Sequence, residues 1–322
     1  MTQTPLWTQT QIEAVLACKA SAAFVPLKGV SIDTRSLEHG DLFAALKDVR
    51  DGHDFVADAF KKGAAVALVS SDKAEALAVH GPVLAVVDPL VALQRLGAAR
   101  RAESKAKILA ISGSVGKTGT KDGLRLMLSA FGATHASVAS YNNYLGVPLT
   151  LARMPLDVAY GVYEIGTNHP GEIAPLTAQV RPDIALLTTV ENVHIENFPS
   201  GEAIADEKAT LYGGVVEGGV VLLPRDNRHY ARLRRHAEQT RAGRLLTFGT
   251  SSDADIKLLD ARLFPDHTEI EAEVCGHKLA YQFGAPGQHL VTNSLAMIGC
   301  AYALGLDLVK AGAAPVSYTH LT

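Results

Sequence analysis

Apolar and polar positions alternate in short blocks along this chain. Ala64-Ala65-Val66-Ala67-Leu68-Val69 and Pro82-Val83-Leu84-Ala85-Val86-Val87 are continuous apolar runs of strand length, set among short helical segments up to about Ala102. A helix-like segment then ends in the charged stretch Arg100-Arg101-Ala102-Glu103-Ser104-Lys105, which reads as a hinge between domains. Lys107-Ile108-Leu109-Ala110-Ile111-Ser112 is a further apolar strand, stopped by glycine. Beyond it Leu124, Met127, Leu128 and Phe131 recur at i, i+3, i+4 and i+7, one apolar face of a helix. Tyr160–Gly166 reads as a strand ending in Glu164, and Asp183–Val190 as another. Strands alternating with helices predict a parallel sheet with helices on both faces. Asn293–Leu306 reads as an apolar helix, whereas the segment from Ala313 to Thr322 has neither period and reads as a non-native or truncated tail, the alternative being a frayed natural terminus.

The expected fold is therefore α/β. A small mixed α/β domain covers residues 1–103, a P-loop-type domain with a mainly parallel sheet covers 104–312, and the tail is 313–322. A length of 322 residues suits about two domains. With 48% apolar and 20% charged residues the chain can bury a sizeable core. Thirty basic against thirty-three acidic residues leave a net charge of −3, which argues against a general nucleic-acid or membrane-surface binder. No apolar run approaches the roughly 18 residues of a spanning helix, and no signal-peptide pattern opens the chain. Cys18, Cys275 and Cys300 lie far apart, without metal spacing. These features predict a cytoplasmic enzyme that uses carboxylate-held metal or none. A monomer is expected as well, although none of these features bears on the oligomeric state.

Gly113-Ser114-Val115-Gly116-Lys117-Thr118 lies between a strand and a helix. A glycine turn opening a helix forms an anion site: backbone N–H groups and the positive end of the helix dipole face phosphate, Lys117 adds charge, and the Thr118 hydroxyl can hold Mg²⁺. The usual loop begins with a glycine where Ile111 stands here, so this is a shortened variant. ATP is the expected ligand, against the alternative of glycines in an ordinary turn. Gly119 and Gly123 weaken the first turns of the helix by roughly 1 kcal/mol each relative to alanine.

Three downstream positions belong to the same crevice if the sheet is parallel, because ligands bind at the carboxyl ends of its strands. Glu164 ends one strand and is a reasonable Mg²⁺ ligand; otherwise it is a surface glutamate. His194 follows another strand, and a lone histidine is otherwise structural. Ser200 can cap a helix over Gly201–Tyr212, whose apolar stripe of Ile204, Leu211 and Tyr212 includes Lys208. A lysine there must snorkel, pair or lose its proton, and the residues alone favour snorkelling. A neutral amine can react with CO₂ to give a carbamate able to ligate Mg²⁺.

Taken together these residues resemble the Mur ligase family of ATP-dependent amide-forming enzymes. The resemblance runs from Ser31 to about Leu306. It is carried by Ser31–Arg35, Gly40–Lys47, Asp51–Phe55, the phosphate loop, Tyr141–Thr150 and Glu164–Ile173. Asn-Asn-x-x-Gly-Val-Pro-Leu-Thr and Asn-His-Pro-Gly-Glu-Ile point to the branch that joins D-Ala-D-Ala to UDP-N-acetylmuramoyl-tripeptide. The resemblance implies that Gly113, Ser114, Val115, Gly116, Lys117, Thr118 and Gly119 hold the ATP phosphates. Thr118, Glu164, His194 and Lys208 would hold Mg²⁺, with Lys208 carbamylated and Lys117, His194 and Lys208 catalytic. Asn293 matches the asparagine associated with adenine. Thr34, Arg35 and Lys47 would hold the UDP-sugar end, and Asn142 and Asn143 would face substrate. Gly119 stands where the family commonly has Thr, and Asp48 where Gly is common.

The implied reaction forms an acyl phosphate from a substrate carboxylate and ATP, which the amine of D-Ala-D-Ala then displaces. Mur ligases also carry a third, Rossmann-like domain, and too few residues follow Leu306 to bury such a core, so it is expected to be absent. The alternative function is thus a nucleotide- and UDP-sugar-binding fragment without turnover. A P-loop kinase explains neither the first domain nor Lys208. Folylpolyglutamate synthase is disfavoured by the Asp-Thr-Arg and Asp-Gly-His-Asp segments.

Overall fold

The computed structural model describes residues 4–138, 140–193 and 195–314. The chain divides into two compact units, Met1–Ser104 with Pro148–Leu156, and Lys105–Val147 with Asp157–Thr322.

The first unit contains α1 (Gln9–Leu16), β1 (Gly29–Ser31), β2 (Asp41–Ala44), α2 (Val56–Lys61), β3 (Val66–Ser70), α3 (Ala74–Leu77), β4 (Val83–Val86) and α4 (Pro89–Glu103). Its four strands are all parallel, in the order β1-β2-β3-β4. Every residue of β2 and β3 is buried, as expected of parallel strands covered on both faces. Helix α4 starts where the Asp88 carboxylate accepts the N–H groups of Leu90 and Val91 and Pro89 supplies a ready-made first φ. It runs through Glu103, so Arg100 to Glu103 form a helical turn where the charge pattern suggests a hinge. Arg100 and Arg101 are buried there. The Arg100 guanidinium lies 3.9 Å from the centre of the Trp7 ring and donates to the Leu6 carbonyl, contacts that hold a charge inside a helix packing face. The Trp7 indole N–H donates to the Ala152 carbonyl at 2.8 Å, which fastens Pro148–Leu156 to this unit although the chain's domain pattern places it in the second.

The second unit contains β5 (Lys107–Ser112), α5 (Lys117–Ser129), β6 (Thr134–Ala136), α6 (Gly146–Ala152, shared with the first unit), β7 (Tyr160–Glu164), α7 (Ile173–Val180), β8 (Ile184–Leu187), α8 (Gly201–Ala209), β9 (Val220–Pro224), α9 (Tyr230–Glu238), β10 (Arg244–Gly249), β11 (Ile256–Leu263), β12 (Thr268–Val274), β13 (His277–Phe283), α10 (Gln288–Ala303) and α11 (Leu308–Ala313). The sheet order is β13-β12-β11-β10-β9-β8-β5-β7-β6. From β6 to β11 all pairings are parallel, and β12 and β13 add antiparallel edges. After β5 the chain goes outward to β6, returns through β7, and then crosses to β8 on the other side of β5. Such a reversal opens a crevice at the carboxyl ends of the strands, here beside β5.

Helices α5 and α10 cover one face, burying Leu124, Met127, Leu128, Leu295 and Ile298 against Leu109 and Ile111. Helices α7, α8 and α9 pack in a row, α7 against β5 and α9 against β9. Several boundaries differ from the apolar pattern. α5 ends at Ser129, and Phe131 packs on the core from beyond it. β8 ends at Leu187 rather than Val190, and α8 tightens after Ala209 into a 3-10 turn over Thr210–Gly214. α10 runs from Gln288 to Ala303 rather than over Asn293–Leu306, because Gly305, at φ +70°, ends it. There the N–H groups of Gly305 and Leu306 bond back to the Tyr302 and Ala301 carbonyls. The tail expected from Ala313 begins inside α11, and its residues 315–322 lie outside the described residues. Strands β12 and β13 alternate buried and exposed positions and meet through Cys275 and Gly276, both at positive φ, as in a two-residue hairpin.

Candidate functional site

The loop leaving β5 is shaped by two glycines that no other residue fits. Gly113 has φ +146°, and a Cβ there would lie 2.0 Å from the Thr188 Oγ1. Gly116 has φ +85°, and its Cβ would lie 2.6 Å from the Asn293 Nδ2. Both side chains thus stand against the loop backbone. The segment following β8 staples one wall: Thr188 Oγ1 donates to the Val115 carbonyl at 2.7 Å, and the Thr189 carbonyl accepts the Ser114 N–H at 2.8 Å. The Ser114 hydroxyl accepts the Glu191 N–H and donates to the Glu191 carbonyl, each at 2.9 Å. Helix α5 begins at Lys117 behind the N-cap Gly116, which has no side chain to cap the first turn, in which Thr118 and Gly119 also lie. The start of a helix turns its N–H groups and the positive end of its dipole toward an anion.

Two ammonium groups converge on the loop. Lys117 Nζ donates to the Gly113 carbonyl at 2.8 Å, with Ser114 O at 3.4 Å. Lys208 Nζ donates to the same Gly113 oxygen at 3.1 Å. Lys208 arrives there on α8, whose start is capped by Ser200 Oγ accepting the Ala203 N–H at 3.2 Å. Ile204, Leu211 and Tyr212 are buried as the stripe predicts, and Lys208 is only 4% exposed. The snorkelling reading therefore fails: the Gly113 carbonyl gives the amine an interior partner. Burial, and then the Lys117 charge, push the Lys208 amine down to about 8, against an opposing pull from Glu207. Burial likewise lowers Lys117, against Glu164.

The end of β7 supplies a carboxylate. Glu164 is buried; its Oε2 accepts the Thr118 hydroxyl at 2.9 Å and its Oε1 accepts the Asn142 amide at 2.7 Å. Asn143 Oδ1 accepts the N–H groups of Leu145 and Gly146, so it caps the start of α6. His194 lies outside the described residues. The structure thus gathers the loop from Gly113 to Gly119 with Glu164, Lys208, Asn142 and Asn293. Among the described residues no group of three or more His, Cys, Asp or Glu forms a metal cage. The Thr118 hydroxyl beside the Glu164 carboxylate is nevertheless a hard oxygen pair of the kind that suits Mg²⁺, which takes one or two protein ligands and completes its shell with phosphate and water.

Two residues escape sequence reasoning. The Glu207 carboxylate accepts the Gly171 and Ile173 N–H groups at 2.7 and 2.9 Å. Asn227, after β9, donates from Nδ2 to Thr189 Oγ1 and the Val190 carbonyl, each at 3.1 Å, bracing the segment that staples the loop. Glu207 is next to Lys208 in sequence, the one available signal; nothing local marks Asn227.

In the first unit, Thr34 and Arg35 follow β1 and Lys47 follows β2, so all three lie beyond the carboxyl edge of that parallel sheet. Arg35 is exposed and pairs with Asp33, NH2 to Oδ2 at 2.6 Å. The Thr34 carbonyl accepts Lys62 Nζ at 2.6 Å, and exposed Lys47 bridges to Asp51 through the backbone.

Residues 111–301 match the Mur ligase middle domain and residues 26–101 the Mur ligase family catalytic domain. A UDP-N-acetylmuramoyl-tripeptide–D-alanyl-D-alanine ligase of Rickettsia prowazekii is 30% identical over 303 residues, covering 94% of this chain and 67% of its own length. The ligase of the same name from Escherichia coli is 32% identical over 310 residues, covering 95% of this chain and 67% of its own. A crystal structure of MurF from Acinetobacter baumannii superposes with a TM-score of 0.86 at 28% identity, covering 98% of this chain and 69% of the other. The chain thus spans about two thirds of the length of the relatives it matches. Among the described residues no helix is long and apolar enough to cross a membrane. With the phosphate loop, the paired lysines and these matches in agreement, the chain belongs to the Mur ligase family of ATP-dependent ligases, in its MurF branch.

Proposed function

We propose that the chain binds ATP at the Gly113–Gly119 loop and takes part in joining D-Ala-D-Ala to UDP-N-acetylmuramoyl-tripeptide, a step of peptidoglycan precursor synthesis. The observation that carries this reading is the meeting of Lys117 and Lys208 on the Gly113 carbonyl, beside the Thr118–Glu164 pair. Phosphoryl transfer asks chiefly for positioning and charge neutralisation. Here the start of α5 would orient the phosphates, and the Lys117 ammonium would neutralise charge that grows as a substrate carboxylate takes the terminal phosphoryl group. The amine of D-Ala-D-Ala then displaces phosphate from the acyl phosphate.

Thr118 and Glu164 would hold Mg²⁺, which would supply Lewis-acid charge when bound. His194 and Lys208 complete the ligand set that the family resemblance implies. Lys208, lowered to about 8, is half neutral near that pH, and its neutral amine can add to CO₂ with release of a proton to give a carbamate. Such an anion would sit beside the Lys117 cation. Asn293, against Gly116, would border the adenine as the resemblance implies, and Asn142 orients the Glu164 carboxylate. Thr34, Arg35 and Lys47, at the sheet edge of the first unit, would take the UDP-sugar end.

The test is phosphate release from ATP in the presence of UDP-N-acetylmuramoyl-tripeptide and D-Ala-D-Ala, alongside calorimetric titration with Mg²⁺ and a non-hydrolysable ATP analogue. Release that needs both co-substrates supports the ligase. Nucleotide binding without release limits the chain to a nucleotide- and UDP-sugar-binding part of that reaction, and absence of nucleotide binding refutes the reading.

A further inference from the structure

Helix α8 brings a second charged group into the interior immediately before Lys208. Glu207 is only 8% exposed, and both of its oxygens are engaged: Oε2 accepts the Gly171 N–H at 2.7 Å and Oε1 the Ile173 N–H at 2.9 Å. These amides open α7, whose own N-cap position, Glu172, makes no capping bond to the helix. The Glu172 carboxylate instead accepts the N–H groups of Asn168 and His169. Glu207 therefore supplies from another helix the capping that the local sequence leaves undone, through charge-assisted bonds.

The segment so held leaves β7 directly after Glu164, and its Gly166 N–H donates to the Asn142 carbonyl at 2.9 Å. Consecutive residues of α8 thus grip two strand-end loops, Glu207 the loop behind β7 and Lys208 the loop behind β5. Neighbouring side chains on a helix point about 100° apart. Fastening one of them fixes the rotation of the helix for the other, so α8 cannot turn Lys208 away from Gly113 without breaking both carboxylate bonds.

We propose that Glu207 is a positioning residue of the phosphate site: its carboxylate clasps α8 to the β7–α7 loop and thereby sets the Lys208 side chain at the Gly113 loop, beside Lys117. The inference rests on the nucleotide reading above. The loop lysine of such sites reaches the β- and γ-phosphates, and Lys208 shares its acceptor, so Lys208 is expected to bear on the γ-phosphate, which ADP lacks.

The test is calorimetric titration of the chain and its Glu207→Gln, Glu207→Asp and Asp206→Asn variants with Mg²⁺-ADP and with the Mg²⁺ complex of a non-hydrolysable ATP analogue. Asp206 lies on the same helix but pairs outward with Arg232 and His236. Glu207→Gln turns one acceptor into an N–H donor facing an amide N–H. It is expected to weaken the analogue by about 5- to 20-fold and ADP by less than about 2-fold, with faster amide exchange at Gly171 and Ile173. Glu207→Asp keeps two acceptors on a shorter arm and is expected to show the same selectivity at smaller size; it carries the test if Glu207→Gln does not fold. Asp206→Asn is expected to change neither affinity. Equal weakening of both nucleotides would reduce Glu207 to a structural part, and unchanged affinities would remove the role altogether. Failure of the unsubstituted chain to bind either nucleotide would overturn the site reading itself.

Discussion

Lys117 and Lys208 donate to one atom, the carbonyl oxygen of Gly113, at 2.8 and 3.1 Å. Their ammonium groups are therefore no more than about 6 Å apart, close enough for like charges to repel strongly wherever water is scarce. One carbonyl dipole offsets only part of that repulsion. A polyphosphate, or a carbamate on Lys208, would remove the rest.

The first prediction concerns this repulsion. In Lys117→Met the second cause of the low Lys208 value disappears while burial remains. Lys208 is then expected to titrate above about 8 yet below the ordinary lysine value of 10.5. The pH dependence of Lys208 labelling by an amine-reactive reagent, read by mass spectrometry, measures this. An unchanged or lower midpoint would show that Lys117 does not act on Lys208.

Metal dependence should follow Glu164. With Mg²⁺ replaced by a chelator, affinity for a non-hydrolysable ATP analogue is expected to fall by about tenfold or more, since the hard oxygen pair and the phosphates lose their shared cation. Glu164→Gln keeps an oxygen that can accept the Thr118 hydroxyl but loses the charge, so its affinities with and without Mg²⁺ should lie within about threefold of each other. A Glu164→Gln protein with the full Mg²⁺ effect would exclude this carboxylate as a ligand.

Gly113→Ala should be costly in two separable ways. The φ of +146° strains any side-chain-bearing residue, by about 1–3 kcal/mol, and the new methyl meets Thr188 Oγ1. Adding Thr188→Ala relieves the clash but leaves the backbone strain, so the double variant should recover only part of the loss in urea-unfolding free energy. Full recovery would mean that the glycine is needed only for space.

Much of the second unit was legible because its central strands β5, β8 and β9 are buried on both faces. The run Lys107–Ser112 coincides with β5, and Glu164 does end β7. Lys208 stood out as a charge inside an apolar stripe, but its partner did not. Gly113 lies far off in the chain, and a backbone carbonyl has no sequence signature. Glu207 and Asn227 stayed hidden for the same reason: they hold backbone groups of other loops. The break between the units falls inside the charged stretch, between Ser104 and Lys105, but α4 runs on through Arg100–Glu103 because Trp7 stabilises Arg100, a tertiary contact that helix propensity and charge pattern do not encode.

The first unit gives a prediction about acid. His53 Nε2 accepts the Ser70 N–H at 2.9 Å, which leaves Nδ1 as the ring donor to Asp51 Oδ1 at 2.5 Å. The other Asp51 oxygen accepts Lys73 Nζ at 2.7 Å. Burial works to raise the Asp51 carboxyl, but the bonds from Lys73 and His53 outweigh it and hold it well below the usual carboxylate range. A depressed carboxylate stabilises the fold above its unfolded value, near 4, and loses that contribution as pH falls through its folded value. Asp51→Asn is therefore expected to cost about 1 kcal/mol at pH 7, and the gap from the unsubstituted chain should narrow as pH drops below about 4. Urea unfolding of both proteins across pH 3 to 7 measures the gap. A gap that widened in acid would show that Asp51 is not held ionised by Lys73 and His53.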